Sequence, residues 1–137
     1  MAVFVLDNAY VMVNAVDLSD HVKQVRLSYN AELQDDTAMA DTARSRIPGL
    51  LDVSCEVDFE QDFASGKVDA TLFDLIGAAA FAVKVRADAG AIATTNPEFQ
   101  FNAVLESYPP VSGAIGALAM ATAVFRGTTV ITRDVTP

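Results

Sequence analysis

The sequence of 137 residues has few of the side chains on which most catalytic and metal chemistry depends. It contains one cysteine, Cys55, one histidine, His21, and no tryptophan. A lone cysteine excludes an internal disulfide, and one cysteine with one histidine excludes a zinc site built from several such ligands. We therefore expect no cofactor and no metal, and we do not expect an enzyme.

Basic residues are also scarce, with 9 Lys and Arg against 18 Asp and Glu and a formal net charge of −9. Proteins that hold nucleic acid or anionic membranes do so with clustered Lys and Arg, so both are disfavoured as bound ligands. The first residues lack the basic region of a signal peptide. The longest mostly apolar stretch, 113–125, is too short to span a bilayer. These features favour a soluble protein of a reducing compartment.

The dominant positive signal is alternation of apolar and polar residues with a period of two, which is typical of half-buried β-strands. It is clearest where Val53, Cys55, Val57 and Phe59 alternate with polar residues. The same pattern predicts further strands at 25–33, 81–86, 99–105 and 121–132, and a hairpin formed by 3–6 and 10–13.

One segment has helical spacing instead. Val68, Leu72, Leu75 and Ile76 lie at i, i+4, i+7 and i+8, which predicts a helix over about 66–77 with these four residues on its core face. Ser65 is a candidate N-terminal cap, and Gly77 a candidate end. Residues 34–49 lose all periodicity and predict a long polar loop.

Together these elements predict a mainly β protein of about six to eight antiparallel strands with one α-helix. A connected run of long antiparallel strands is typical of a β-sandwich or an open barrel. The length suits a single domain covering residues 1–137.

Glu56, Asp58 and Glu60 lie on the polar face of one predicted strand, and Glu32 lies on that of another; we call these four residues the acidic face. Paired carboxylates can cleave glycosidic bonds, but a solvated strand face is the favoured interpretation. The sequence shows no charge that balances this face. An alternative is therefore that it lines a channel through which a polyanion passes without binding.

The aspartates at 35, 36 and 41 are candidate oxygen ligands for calcium. They lack the spacing of a calcium-binding loop, so an acidic surface loop is favoured.

Several segments in order resemble the major tail tube protein of long-tailed bacteriophages, in particular those of actinobacterial hosts. The best match is Thr37-Ala38-Met39-Ala40-Asp41-Thr42-Ala43-Arg44, closed by Pro48-Gly49-Leu50 before an alternating strand. The segment 17–25, the motif Glu106-Ser107-Tyr108-Pro109-Pro110 and the motif Phe125-Arg126-Gly127 also match.

The resemblance implies a tail-tube fold whose subunits form hexameric rings, and rings that stack into a tube conducting DNA from capsid to host cell. DNA is then passing cargo, and the acidic face lines the lumen. The long loop contacts a neighbouring subunit, with Asp36, Met39, Asp41, Arg44 and Arg46 as candidate contact residues. Further implied partners are the tape measure protein, the tail terminator and the distal tail protein. The protein would be made in the bacterial cytoplasm and reside in the virion tail.

Two other classes of function remain open from the residues. One is a different virion component of similar fold, such as a tail terminator, a head–tail joining protein or a decoration protein. The other is a β-barrel that binds a small apolar ligand.

Overall fold

A computed structural model describes residues 3–136, and within them the chain forms eight β-strands and one short α-helix. This confirms the mainly β class with a single helix. The elements in chain order are β1 Tyr10–Val13, β2 Val16–Asp17, a 3-10 turn Ser19–His21, β3 Val22–Asp35, β4 Arg46–Glu60, α1 Val68–Leu72, a 3-10 turn Phe73–Leu75, β5 Phe81–Arg86, β6 Glu98–Ser107, β7 Met120–Gly127 and β8 Thr132–Asp134.

The strands form one sheet in the order β2-β1-β5-β6-β7-β4-β3, with β8 pairing with β6. All of these strand pairs are antiparallel. The sheet is curled. Val25 and Leu27 of the edge strand β3 line the same cavity as Phe99 of β6, which a flat sheet would keep apart. A curled sheet of this kind encloses one core on its concave face.

The core follows the alternation in the sequence. Val53, Cys55, Val57 and Phe59 of β4 are buried, while the residues between them point outward. Phe81 and Phe125 meet edge to face with ring centroids 5.9 Å apart. Fully burying each large apolar side chain contributes about 1.5–3 kcal/mol, so this inner face supplies most of the stability of the fold.

Gly127 at the end of β7 is required by close packing against β4. A Cβ placed there would lie 2.5 Å from the Cβ of Val53, a distance that real side chains do not reach. The strand predicted to continue past this residue ends here instead. The backbone N–H of Thr128 donates to the carbonyl of Asn102 at 2.7 Å, and the chain turns before β8.

The predicted N-terminal hairpin is displaced along the chain. Residues 3–6 form no strand, and β1 turns into β2 through Asn14 and Ala15, whose φ angles are 48° and 65°. Positive φ at both central residues is what a two-residue hairpin turn needs, and asparagine tolerates it. β1 also pairs with β5, which places Val11 and Val13 of β1 in the core.

The helical segment is shorter than predicted. Val68, Leu72 and Leu75 are buried, but Ile76 is 47% exposed, contrary to the prediction that it shares their face. The α-helix tightens to a 3-10 turn after Leu72, and the backbone is extended at Ile76, so helical spacing no longer sets its direction. The helix begins after Lys67 rather than at a Ser65 cap, and Gly77 follows with φ +76°.

The predicted loop over 34–49 is also shorter. β3 continues to Asp35 and β4 begins at Arg46, which leaves the connection 36–45, here called the tip loop. The outer parts of β3 and β4 (residues 29–52, with the tip loop) form a hairpin, called the arm, that is almost entirely exposed. Both faces of the arm lie outside the core, so the strand residues next to the tip loop, 34–35 and 46–49, do not need the alternation of a half-buried strand.

Candidate assembly surfaces

The residues of the acidic face lie on the outward side of the sheet. Glu56, Asp58 and Glu60 alternate with buried residues on β4, and Glu32 is on the exposed arm. The hydroxyl of Thr122 on β7 donates to the Asp58 carboxylate at 2.7 Å. The structure therefore places three of the four carboxylates in one row on a wide antiparallel surface formed by β3, β4 and β7.

Contrary to the expectation from sequence, cations from neighbouring strands lie beside these acids. Arg26 of β3 is the register partner of Glu56, and Lys23 Nζ lies 3.5 Å from Glu60. On β7, Arg126 Nε lies 2.8 Å from Glu106. The outward side of this part of the sheet carries six carboxylates (Glu32, Asp52, Glu56, Asp58, Glu60 and Glu106) and the cations Arg26 and Arg126, and Lys23 joins them through its contact with Glu60. The face is therefore acidic in excess, but partly neutralised.

Cys55 is not placed for nucleophilic chemistry. Its thiol is buried on the inner face of β4, and burial, with Glu56 adding repulsion, raises the pKa of Cys55 to about 12. A reactive cysteine needs a thiolate and access to solvent. In the part of the chain that the structure describes, no group of three His, Cys, Asp or Glu side chains is placed to hold a metal ion.

One face of the arm is apolar and uncovered. Tyr29, Leu33 and Leu51 continue the inward-facing rows of β3 and β4 beyond the core, and they are 46%, 59% and 50% exposed. A two-stranded hairpin is at best marginally stable in water by itself, and exposed apolar patches mark interaction sites. The arm therefore carries an exposed apolar surface of the kind that marks an interaction site.

The tip loop is stiffened by its own hydrogen bonds. The Asp35 carboxylate accepts from the Thr37 N–H and from Arg44, each at 2.9 Å, and the Ala38 N–H donates to the Asp41 carboxylate at 2.8 Å. The pKa of Asp35 is held below its ordinary value, mainly by the hydrogen bond from the Thr37 hydroxyl. The Thr37 N–H and, to a smaller extent, Arg44 lower it as well. Arg44, a predicted contact to a neighbouring subunit, is thus engaged within its own arm.

Of the other candidate contact residues, Asp41 is also bonded within the loop, whereas the remaining three can meet a partner. Met39 is fully exposed at the tip, and Asp36 and Arg46 are also exposed. Arg46 has no ion pair within residues 3–136. The tip loop therefore presents one apolar side chain on a preorganised backbone.

An open cavity of about 400 Å³ lies at the base of the arm. Its lining is mostly apolar and comes from the edge strand β3, from β5 and β6 in the middle of the sheet and from residues outside those strands. The lining residues are Leu6, Val25, Leu27, Tyr29, Val85, Arg86, Ala87, Phe99, Ile131 and Arg133. Because Tyr29 belongs to both, the cavity and the apolar face of the arm form one continuous surface.

Next to this cavity the structure holds an ion pair that the sequence analysis missed. Arg86 Nη1 lies 2.8 Å from the Glu98 carboxylate, and both side chains are largely buried. The guanidinium carbon lies 3.9 Å from the centre of the Tyr10 ring. Only the register of β1, β5 and β6 brings the three together, so no local pattern could have revealed them.

A second uncovered apolar surface lies at the opposite end of β4 from the tip loop. Phe63, Val111, Ile115 and Leu118, called the far-end patch, are each more than half exposed. Three of these residues, Phe63, Val111 and Ile115, line a shallow depression of about 250 Å³ together with neighbouring residues. The Gln61 amide donates to the Tyr108 hydroxyl at 2.9 Å and to the Pro110 carbonyl at 2.6 Å, which anchors the loop that carries most of the patch.

His21 joins the start of β3 to the segment before α1. Its Nδ1 lies 2.7 Å from the Asp20 carboxylate and its Nε2 lies 2.9 Å from that of Asp62, while Lys67 Nζ lies 3.7 Å from Asp20. Burial lowers the pKa of His21, but the hydrogen bonds with Asp62 and Asp20 outweigh it and the net pKa is raised. The protonated ring is the form that the folded state favours.

This arrangement predicts a pH dependence of stability. Because the folded-state pKa of His21 is above its unfolded value, its contribution is complete below about pH 6.5 and is lost as the pH rises through the folded pKa. We expect urea unfolding to show lower stability near pH 8.5 than near pH 6, with a smaller difference in His21→Gln. Equal pH profiles for the two proteins would contradict the assignment.

Comparison with solved structures identifies the class of fold. No family model matches the chain, and no curated protein matches it. The fold is instead that of several chains from phage-type tails, at sequence identities too low to show more than the fold. No helix in residues 3–136 has the length and apolar character needed to cross a membrane.

Three of these structures illustrate the similarity. A chain of the native gene transfer agent virion matches with a TM-score of 0.70 at 14% identity, over 92% of this chain and 95% of that one. A chain from the C6-symmetric tail of the empty gene transfer agent particle gives 0.65 at 15%, over 82% and 81%. The Dit hub protein of phage SPP1 gives 0.54 at 16%, over 88% of this chain and 50% of Dit.

Proposed function

We propose that this protein is a structural component of a virion tail, and that it forms the tail tube as stacked hexameric rings. The observation that carries the proposal is the arm, which extends from the core with an uncovered apolar face continuous with an open apolar cavity. A second copy of the chain is the partner that such a surface needs if the protein assembles with itself. The shared fold with a chain of the C6-symmetric gene transfer agent tail supports this.

The free edge of the sheet supports self-association as well. β3 is 14 residues long and pairs with β4 on one side only within the described chain. A long free edge is a template for strand pairing, and closure of a sheet around a ring removes it. Contacts of this type between different surfaces of identical subunits form a ring when the rotation closes.

In the proposed ring the acidic face lines the lumen. The inner rows of β4 belong to the core, so the row with Glu56, Asp58 and Glu60 must take the other side of the sheet. Its excess of carboxylates offers passing DNA few cations to exchange for counterions, and weak binding favours passage. The cations Lys23 and Arg26 reduce the repulsion among the acids and thereby the cost of crowding them.

The further proposed partners are the tape measure protein, the tail terminator and the distal tail protein. Assembly would take place in the bacterial cytoplasm, and the assembled protein would reside in the virion tail. The same fold would also serve a terminator, a head–tail joining or a decoration protein. A separate candidate function, binding of a small apolar ligand, is favoured by the 400 Å³ cavity, whose volume is in the range of ligand pockets.

The testing experiment is electron microscopy of the purified protein at increasing concentration, followed by a density map. We expect six-fold rings that stack coaxially, with Glu56, Asp58 and Glu60 facing the channel and the apolar face of the arm buried. The proposal would be overturned if the purified protein remained monomeric at high concentration and if virions that contain the protein had no tail tube built from it. A tube with these acids outside would overturn the lumen assignment alone.

A further inference from the structure

The cavity at the base of the arm has a charge that is unusual for this chain. Two of its lining residues, Arg86 and Arg133, are cations, and no Asp or Glu of residues 3–136 lines it. The chain as a whole has 18 Asp and Glu against 9 Lys and Arg. A positive lining in an acidic protein favours an anion as the group that the cavity receives.

Neither guanidinium group of this lining is fully paired within the described chain. Arg133 is exposed and forms no ion pair in residues 3–136. The Nη1 of Arg86 is paired with Glu98, but the Nε of Arg86 is buried and has no hydrogen-bond partner there. Buried polar groups in native proteins are nearly always satisfied, so this N–H indicates an acceptor from outside the chain.

Strand register places Arg133 on the apolar side of the sheet. Arg133 of β8 lies opposite Phe99 of β6, and Phe99 lies opposite Val85 of β5. Residues paired in this way share one face of a sheet, and Val85 is buried in the core. The charge of Arg133 therefore lies beside the apolar lining, on the inner face of the sheet.

We infer that the cavity binds a single-chain amphipathic carboxylate such as a fatty acid. The alkyl chain lies against Val25, Leu27 and Phe99. The carboxylate pairs with Arg133, and Arg86 adds a second positive charge to the lining. The inference rests on the candidate function of small-ligand binding proposed above and names the class of that ligand, because a neutral apolar molecule would leave both cations unpaired. It does not depend on tube formation.

The size and the opening of the cavity suit such a ligand. Its volume of about 400 Å³ is in the range of small-molecule pockets, and apolar side chains form most of its lining. Each methylene group that enters loses contact with water, which stabilises the complex. Because the cavity is open, the carboxylate can remain hydrated on one side while it pairs with Arg133, which avoids the cost of full desolvation.

Calorimetric titration of the purified protein near pH 7 tests the head group and the alkyl chain separately. At this pH decanoate is ionised, whereas decan-1-ol is neutral. We expect decanoate to bind at least about fivefold more tightly, because only a carboxylate forms charge-assisted hydrogen bonds with a guanidinium group. From octanoate to decanoate the affinity should rise about fourfold for each added methylene group.

Arg133→Gln tests the contact with the head group. It should weaken the binding of decanoate by at least about fivefold and leave that of decan-1-ol unchanged. Arg46→Gln is the matched control, because Arg46 is an exposed arginine that does not line the cavity. Neither arginine belongs to the core, so both variants should fold, and urea unfolding checks this.

Leu6→Asp tests the cavity itself. Leu6 lines the cavity from outside the strands and is 51% exposed, so the fold should tolerate the change. The substitution removes apolar surface and adds a negative charge. We expect both ligands to bind about tenfold more weakly or worse, with the larger loss for decanoate because like charges repel.

The possible outcomes separate the inference from the functions proposed above. If decanoate and decan-1-ol bind equally, or if Arg133→Gln weakens decanoate binding no more than Arg46→Gln does, the inference is overturned and small-ligand binding stands without it. If neither ligand binds, both fail. If in that case Leu6→Asp lowers self-association in sedimentation, the occupant of the cavity is a second copy of the chain. Tube formation by the wild type, scored without ligand, decides the tail-tube proposal independently.

Discussion

Replacing the tip loop, residues 36–45, by a two-residue Asn-Gly turn is expected to give a folded protein that no longer forms tubes. Asp35 and Arg46 are register partners in β3 and β4, so a two-residue hairpin turn can join them directly. The loop contributes no buried apolar residue. Shortening a loop also lowers its closure entropy cost, so the free energy of unfolding should change by no more than about 1 kcal/mol.

Assembly should respond very differently, because the change removes Met39 and the ordered backbone that carries it. Urea unfolding would measure stability, and microscopy would score tubes against the wild type. A control with Ala38→Ser and Ala40→Ser keeps the length of the loop and its bonds, and it should still form tubes. An unfolded deletion variant, or one that makes tubes of normal length, would show that the tip loop is not an assembly device.

Leu72→Ala is expected to lower the free energy of unfolding by about 2–5 kcal/mol. Leu72 is fully buried on α1, where it packs into the core cluster with Val68 and Leu75. Truncation removes apolar contacts and leaves a cavity, because the curled sheet around it cannot collapse fully onto the gap.

Ile76→Ala is the matched control for this change. This substitution removes a side chain of similar size four residues later in the chain. Because Ile76 is 47% exposed, we expect the free energy of unfolding to fall by less than about 1 kcal/mol. Chemical denaturation of both variants under identical conditions decides the point. A loss below 1 kcal/mol for Leu72→Ala, or equal losses for the two, would contradict the burial that the structure assigns.

Residues in half-buried strands were predictable because burial of one face forces a period of two. Val53, Cys55, Val57 and Phe59 show it on β4, and the outward direction of Glu56 and Asp58 follows from the same rule. The part of the arm next to the tip loop departs from that rule. The alternation predicted β3 as far as Leu33, but 34–35 and 46–49, whose two faces are both exposed, were included in the predicted loop.

The candidate site divides in the same way. The sequence was sufficient to predict that Met39 and Asp41 lie in a polar connection. It did not indicate that Arg44 is bound to Asp35, nine positions earlier in the chain. The far-end patch had no signal of its own, because apolar residues in a loop become a surface only when strands bring Phe63 beside 110–119.

By itself the sequence determined the class of fold, which residues of the main strands share a face, and the acidic character of the polar face of β4. Local periodicity and composition are sufficient for these, since each depends on residues close together in the chain. Only the tertiary structure decided which strands are neighbours, and with that which charges meet. The register of β3 on β4 places Arg26 opposite Glu56, and that of β5 on β6 brings Arg86 into an ion pair with Glu98. Register is a long-range property set by the packing of the whole curled sheet, and no local pattern encodes it.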